Sequence, residues 1–106
     1  MGSRTKSLLA ELRRGLEQLY GPRLKGVYLY GSYARDEADP ESDLDILVVL
    51  EDYRNYGEEI QRTSELGSNI SLKYDVTVSK IFLKEHDWLT DDSAFLENVR
   101  KEAVPA

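Results

Sequence analysis

A chain of 106 residues, with 14 lysines and arginines against 20 aspartates and glutamates, carries a formal charge of −6 and has the length of one small domain. Its 41% hydrophobic and 32% charged residues fit a folded domain, and no stretch reaches the roughly 18 apolar residues that a membrane helix requires. The lack of cysteine removes disulfides, thiolate zinc sites and cysteine nucleophiles, and the acidic balance works against general binding to nucleic-acid backbone.

The opening MGSRTKS has no apolar secretory stretch, and Lys6 stands where myristoylation requires Ser or Thr, so a cytoplasmic chain without membrane contact is expected. Leu8, Leu9, Leu12, Leu16 and Leu19 recur at helical spacing up to a Gly21-Pro22 stop and predict an amphipathic first helix. Lys25 to Tyr30 (KGVYLY) reads as a strand ending at Gly31-Ser32, and Tyr33 to Ser42 as a polar loop opening with one helical turn. Asp43 to Leu50 (DLDILVVL) is apolar on both faces after its charged start, as in a central strand. Tyr56, Ile60, Thr63, Leu66 and Ile70 predict a second helix from Tyr53 to about Ile70. Tyr74 to Leu83 alternates Val76, Val78 and Lys80 with Asp75, Thr77 and Ser79 and predicts a third strand. A Thr90-Asp91-Asp92 start, then Phe95, Leu96 and Val99, predicts a short terminal helix. With no repeat or linker, residues 1–106 are expected to form one α/β (α+β) domain, a small mixed sheet flanked by helices.

Asp43 and Asp45 stand two apart in a strand and project from one face, where two ionised carboxylates repel unless a cation lies between them. Oxygen-only ligation favours Mg²⁺ or Mn²⁺. If the first two strands pair antiparallel, Gly31-Ser32 lies beside these aspartates. If the long helix is a crossover, the third strand runs parallel and brings Asp75 to the same edge. Gly31 permits close backbone approach to a phosphate, Ser32 supplies donors, and Arg35 points at added negative charge. Composition and spacing alone support a metal and polyphosphate site, with Asp43, Asp45 and Asp75 as its carboxylates. Tyr33 lies inside the phosphate turn, where it borders the nucleotide or stands as an exposed aromatic, and the lone His86 has no metal-ligand spacing.

The run Gly31-Ser32-Tyr33-Ala34-Arg35, a spacer, and Ser42-Asp43-Leu44-Asp45 resembles the signature of the DNA polymerase beta-like nucleotidyltransferase superfamily, in its minimal branch known from HEPN/MNT toxin–antitoxin pairs. Asp36 stands where the family often has Gly after the Arg. The resemblance implies Mg²⁺, two ions in the family mechanism, at Asp43 and Asp45 as catalytic carboxylates, and strand position alone adds Asp75 as the third. The resemblance also implies ATP phosphates at Gly31 and Ser32, and transfer of AMP to a tyrosine of a HEPN ribonuclease toxin in a hetero-oligomer.

Two other functions use the same residues differently. A non-catalytic antitoxin would neutralise its partner through its acidic loop and helix faces. A small-molecule adenylyltransferase would need acceptor-binding structure for which 106 residues leave little room.

Overall fold

The computed structural model describes residues 2–106, and its architecture follows from one strand that has no solvent face. In β2 (Leu44–Leu50) every residue except Asp45 is buried. Such a strand requires cover on both sides. β1 (Leu24–Tyr30) pairs with it antiparallel and β3 (Val78–Lys84) pairs with it parallel, as expected. A two-residue strand, β4 (Val104–Pro105), joins the outer edge of β1, so the mixed sheet runs in the order β3-β2-β1-β4. The observed class is therefore the expected mixed sheet with helices on its faces.

On the first face, α1 (Ser3–Tyr20) lays Leu8, Leu9, Leu12, Leu16 and Tyr20 against Val27, Leu29, Ile46, Val48 and Phe82. Each fully buried aliphatic side chain contributes about 1.5–3 kcal/mol. Leu19 falls outside the stripe at 42% exposure, and Tyr20 takes its place because one further residue rotates back over the sheet. The chain turns at Gly21, where φ is 55°, into a 3-10 turn over Gly21–Arg23.

The helix expected over 53–70 is two helices, α3 (Tyr56–Arg62) and α4 (Ser64–Tyr74). They break at the buried Thr63, whose hydroxyl donates to Glu59 O at 3.0 Å and Ile60 O at 3.2 Å. Back-bonding of this kind bends helices. The break also changes which residue faces inward: Ile60 is 37% exposed and Glu59 is buried. Glu59 is tolerated there because it accepts from Tyr20 Oη at 2.7 Å and from Arg62 Nε at 3.0 Å. α3 starts later than predicted because Asn55 caps it, accepting from Glu58 N–H. Gly67 does not end the helix. It is buried, and its missing side chain leaves room for Lys80 Nζ to donate to Thr63 O at 3.0 Å.

The second face carries α5 (Glu85–Thr90) and α6 (Ala94–Glu102). The sequence reading did not anticipate α5, although Glu85 and Asp87 in its first turn suit the helix dipole. Trp88 stacks on Tyr28 at 4.9 Å between ring centroids, and Val99 packs with Leu47 and Val49. α6 begins at a Ser93 cap, slightly after the predicted start, and leaves Phe95 54% exposed. After it the chain is tied down by Ala106 N–H donating to Val27 O at 2.8 Å. No helix among the described residues is long and apolar enough to cross a membrane.

Candidate active site

The antiparallel pairing of β1 and β2 brings the end of one beside the start of the other, so Tyr30 stands level with Asp45. The parallel pairing of β3 sets Ser79 level with Asp45 on the other side. Alternation places this row on the face covered by α5 and α6. Asp45 is half-buried there, while Asp43 is exposed just before the strand. The approach to Asp43 is fixed by Asp39, whose carboxylate accepts from Glu41 N–H at 2.8 Å, and by Leu44 N–H donating to Thr77 O at 2.8 Å.

Gly31 begins α2 (Gly31–Ala34), a single helical turn, with φ of 75°. A Cβ at this position would collide with Oδ2 of Asp45. Both the backbone conformation and the contact therefore require glycine. The turn is closed by Arg35 N–H donating to Gly31 O at 3.1 Å and Glu37 N–H donating to Ser32 O at 2.8 Å. Asp36, in place of the family's frequent Gly, adopts φ of 60°, a conformation that aspartate accepts more readily than most residues.

Burial, followed by the neighbouring Asp43 carboxylate, pushes the Asp45 carboxyl above the ordinary aspartate value, with Arg35 opposing. Burial and then Asp45 push the Tyr30 phenol up to about 12. A divalent cation would relieve the repulsion between the two aspartates, and the donor set is oxygen only, so these residues fit Mg²⁺. Among the described residues no three His, Cys, Asp or Glu side chains gather into a metal centre. The expected convergence of three carboxylates is not present.

The reason lies at Asp75. It was expected at the start of the third strand, but α4 continues to Tyr74 and Asp75 closes it in the left-handed conformation, with φ of 52° and its N–H donating to Ser71 O. The strand begins three residues later, at Val78, and the residue beside Asp45 is Ser79. Asp75 is exposed and lines clefts with Pro40 and Val76. Tyr33 packs toward the α1 face and shares one of these clefts with Arg4 and Tyr74. His86 is an exposed residue of α5.

Arg35 is engaged by two carboxylates, Glu37 at 3.1 Å and Glu102 at 2.9 Å. Glu102 escaped sequence reasoning. Its Oε1 accepts from Gly31 N–H at 3.0 Å across 71 residues, and no local spacing reports such a contact. The available signal was an acid in the last turn of a helix, where the dipole favours cations. Beside these groups a cavity of about 530 Å³ opens between α6 and the Gly31 turn, walled by Tyr30, Arg35, Phe95 and Asn98 among others. That volume is within the range of small-ligand sites.

A glycine turn pressed against the first carboxylate of a strand, with a second carboxylate two residues before it, is the arrangement expected of the nucleotidyltransferase signature. The nucleotidyltransferase domain family matches residues 9–102. The chain belongs to this family. Among its relatives, MJ0141 of Methanocaldococcus jannaschii, provisionally named a protein adenylyltransferase, is 31% identical over 97 residues, covering 92% of this chain and 93% of the relative. Similar folds include a toxin–antitoxin crystal structure with AMP-PNP, at a TM-score of 0.62 and 20% identity over 89% of this chain and 68% of that one. A tri-AMPylated Shewanella oneidensis HEPN toxin in complex with its MNT antitoxin gives 0.61 and 19% over 94% of this chain and 69% of that one. As a nucleotidyltransferase, the chain is an enzyme.

Proposed function

We propose that this nucleotidyltransferase transfers AMP from ATP, with Mg²⁺, to a protein, and that the acceptor is a tyrosine of a HEPN-type ribonuclease toxin whose antitoxin it is. The observation that carries the reading is the contact of Gly31 with Asp45, which sets the turn proposed to bind phosphate directly against a carboxylate of the pair proposed to bind metal. The provisional name of the M. jannaschii relative and the tri-AMPylated toxin bound to a protein of similar fold support the choice of acceptor. The setting in this reading is the cytoplasm, in a hetero-oligomer with the toxin.

Asp43 and Asp45 would hold the cation, and the Ser32 hydroxyl would donate to phosphate oxygens, with Arg35 adding positive charge at the same edge. Bound Mg²⁺, two ions in this reading, would neutralise phosphate charge and ease deprotonation of the attacking hydroxyl. The acceptor oxygen forms a bond to the α-phosphorus, the bond to the bridging oxygen breaks, and pyrophosphate leaves. Asp75 serves as a third carboxylate only if residues 75–77 rearrange toward Asp45.

The test incubates the protein with ATP, Mg²⁺ and the product of the neighbouring gene, followed by mass spectrometry of the acceptor. A mass increase of one or more AMP groups on tyrosine supports the reading. Neutralisation of the partner without modification, retained when both Asp43→Asn and Asp45→Asn are present, assigns the chain to non-catalytic binding instead.

A further inference from the structure

We infer that Glu102 is a positioning residue for the nucleotide site, holding the Gly31 turn and Arg35 in place from the C-terminal helix. The inference rests on nucleotidyl transfer at Asp43 and Asp45. One carboxylate makes two charge-assisted bonds to two parts of the site: Gly31 N–H at 3.0 Å and Arg35 Nη1 at 2.9 Å. Gly31 is the residue whose Cα touches Asp45, so the same carboxylate that fixes the turn fixes its distance from the metal pair. The Arg35 guanidinium, followed by the Gly31 N–H, holds the Glu102 carboxyl below the usual glutamate range, so it is ionised when it makes these bonds.

The placement is costly by itself. Glu102 lies in the last turn of α6, where the dipole disfavours an anion, directly after Arg100 and Lys101, which suit that end. The two bonds to the turn offset this. Glu102 is also anchored on both sides: before it Phe95 meets Tyr30 edge-on at 6.3 Å, and after it Val104 pairs with Leu29 in β4. A glycine turn has no side chain to hold its own shape, and the exposed Arg35 would otherwise answer to Glu37 alone. Because Glu102 takes the Gly31 N–H, phosphate contacts fall to Ser32 and to the remaining donors of Arg35. The C-terminal segment thus becomes part of the site without touching substrate.

The test compares wild type, Glu102→Gln, Glu102→Ala, Arg35→Ala and the double variant Glu102→Ala/Arg35→Ala by calorimetric binding of ATP with Mg²⁺ and by steady-state transfer, with circular dichroism setting the folded fraction of each. Glu102→Ala should raise the KM for ATP about tenfold to a hundredfold in the folded fraction. Glu102→Gln, which can still accept from Gly31 N–H, should recover part of that loss. The Glu102→Ala and Arg35→Ala effects should combine less than additively, as expected of residues acting through one contact. An unchanged KM in folded Glu102→Ala, or tighter ATP binding than wild type, overturns the inference, the second because it would make the carboxylate a competitor of phosphate. Wild-type protein that fails to bind ATP with Mg²⁺ removes the functional reading itself, a result distinct from both.

Discussion

The Cα of Gly31, the first residue after β1, rests against the carboxylate of Asp45 in β2, a contact made by the antiparallel pairing of the two strands. The contact links the turn that would hold phosphate to the side chain that would hold metal. Gly31→Ala should therefore act twice, through the strain of a side chain at φ of 75° and through displacement of Asp45. The strain alone is expected to cost about 1–3 kcal/mol. Transfer activity should fall about a hundredfold, beyond what loss of folded protein explains. Parallel thermal unfolding and activity assays on the variant check both effects.

Asp45 gives the opposite relation between stability and activity. Folding places its carboxylate in a half-buried site beside Asp43, and both burial and that neighbour disfavour its ionised form. Asp45→Asn removes the charge and keeps the shape. Its unfolding temperature at neutral pH should equal or exceed that of wild type, and Mg²⁺ should raise the wild-type value more than the variant's. A variant that unfolds well below wild type would show that the carboxylate contributes to the fold.

Much of this site was legible because its parts lie in short runs. Gly31-Ser32 and Asp43-Leu44-Asp45 are local, and the apolar runs mark both strands, whereas their antiparallel sense enters the sequence analysis only as a condition that the structure meets. The reading failed where a tertiary contact overrode the local pattern. Asp75 has the correct parity for the Asp45 row, but α4 extends through Tyr74 and ends on Asp75 itself, so the strand starts late. Glu59 illustrates the same limit, since a carboxylate replaces Ile60 in the interior where Tyr20 meets it from 39 residues away, with Arg62 adding a local bond from the next turn of α3. The contact of Glu102 with Gly31 crosses 71 residues and has no local period.

Asp75→Asn tests the late start of the strand. Asparagine also tolerates the left-handed conformation, and the residue is exposed, so transfer should stay within about threefold of wild type, as for ordinary surface replacements. A loss matching that of Asp45→Asn would restore Asp75 as a third carboxylate and require rearrangement of residues 75–77. Activity measurements on the two variants side by side decide the point.

Glu59 predicts a pH effect on stability. Burial raises its carboxyl, but hydrogen bonds from Tyr20 and Arg62 more than offset this and leave it below the ordinary glutamate value. A folded-state value below the unfolded one contributes stability above the unfolded value and loses it as pH falls through the folded one. Glu59→Gln should cost about 1–3 kcal/mol at neutral pH. Denaturant titrations should show the gap from wild type narrowing in acid, and a gap independent of pH would place the effect in packing.

The central claim is that Asp43 and Asp45 serve nucleotidyl transfer, in which the α-phosphate of ATP moves and the outer phosphates leave. The most direct measurement incubates the protein and its acceptor with Mg²⁺ and ATP labelled at either the α- or the γ-phosphate. The account predicts acceptor label from the α position alone, lost on removal of Mg²⁺ and in both Asp43→Asn and Asp45→Asn. Label from the γ position, or α-label that survives both substitutions, would contradict it.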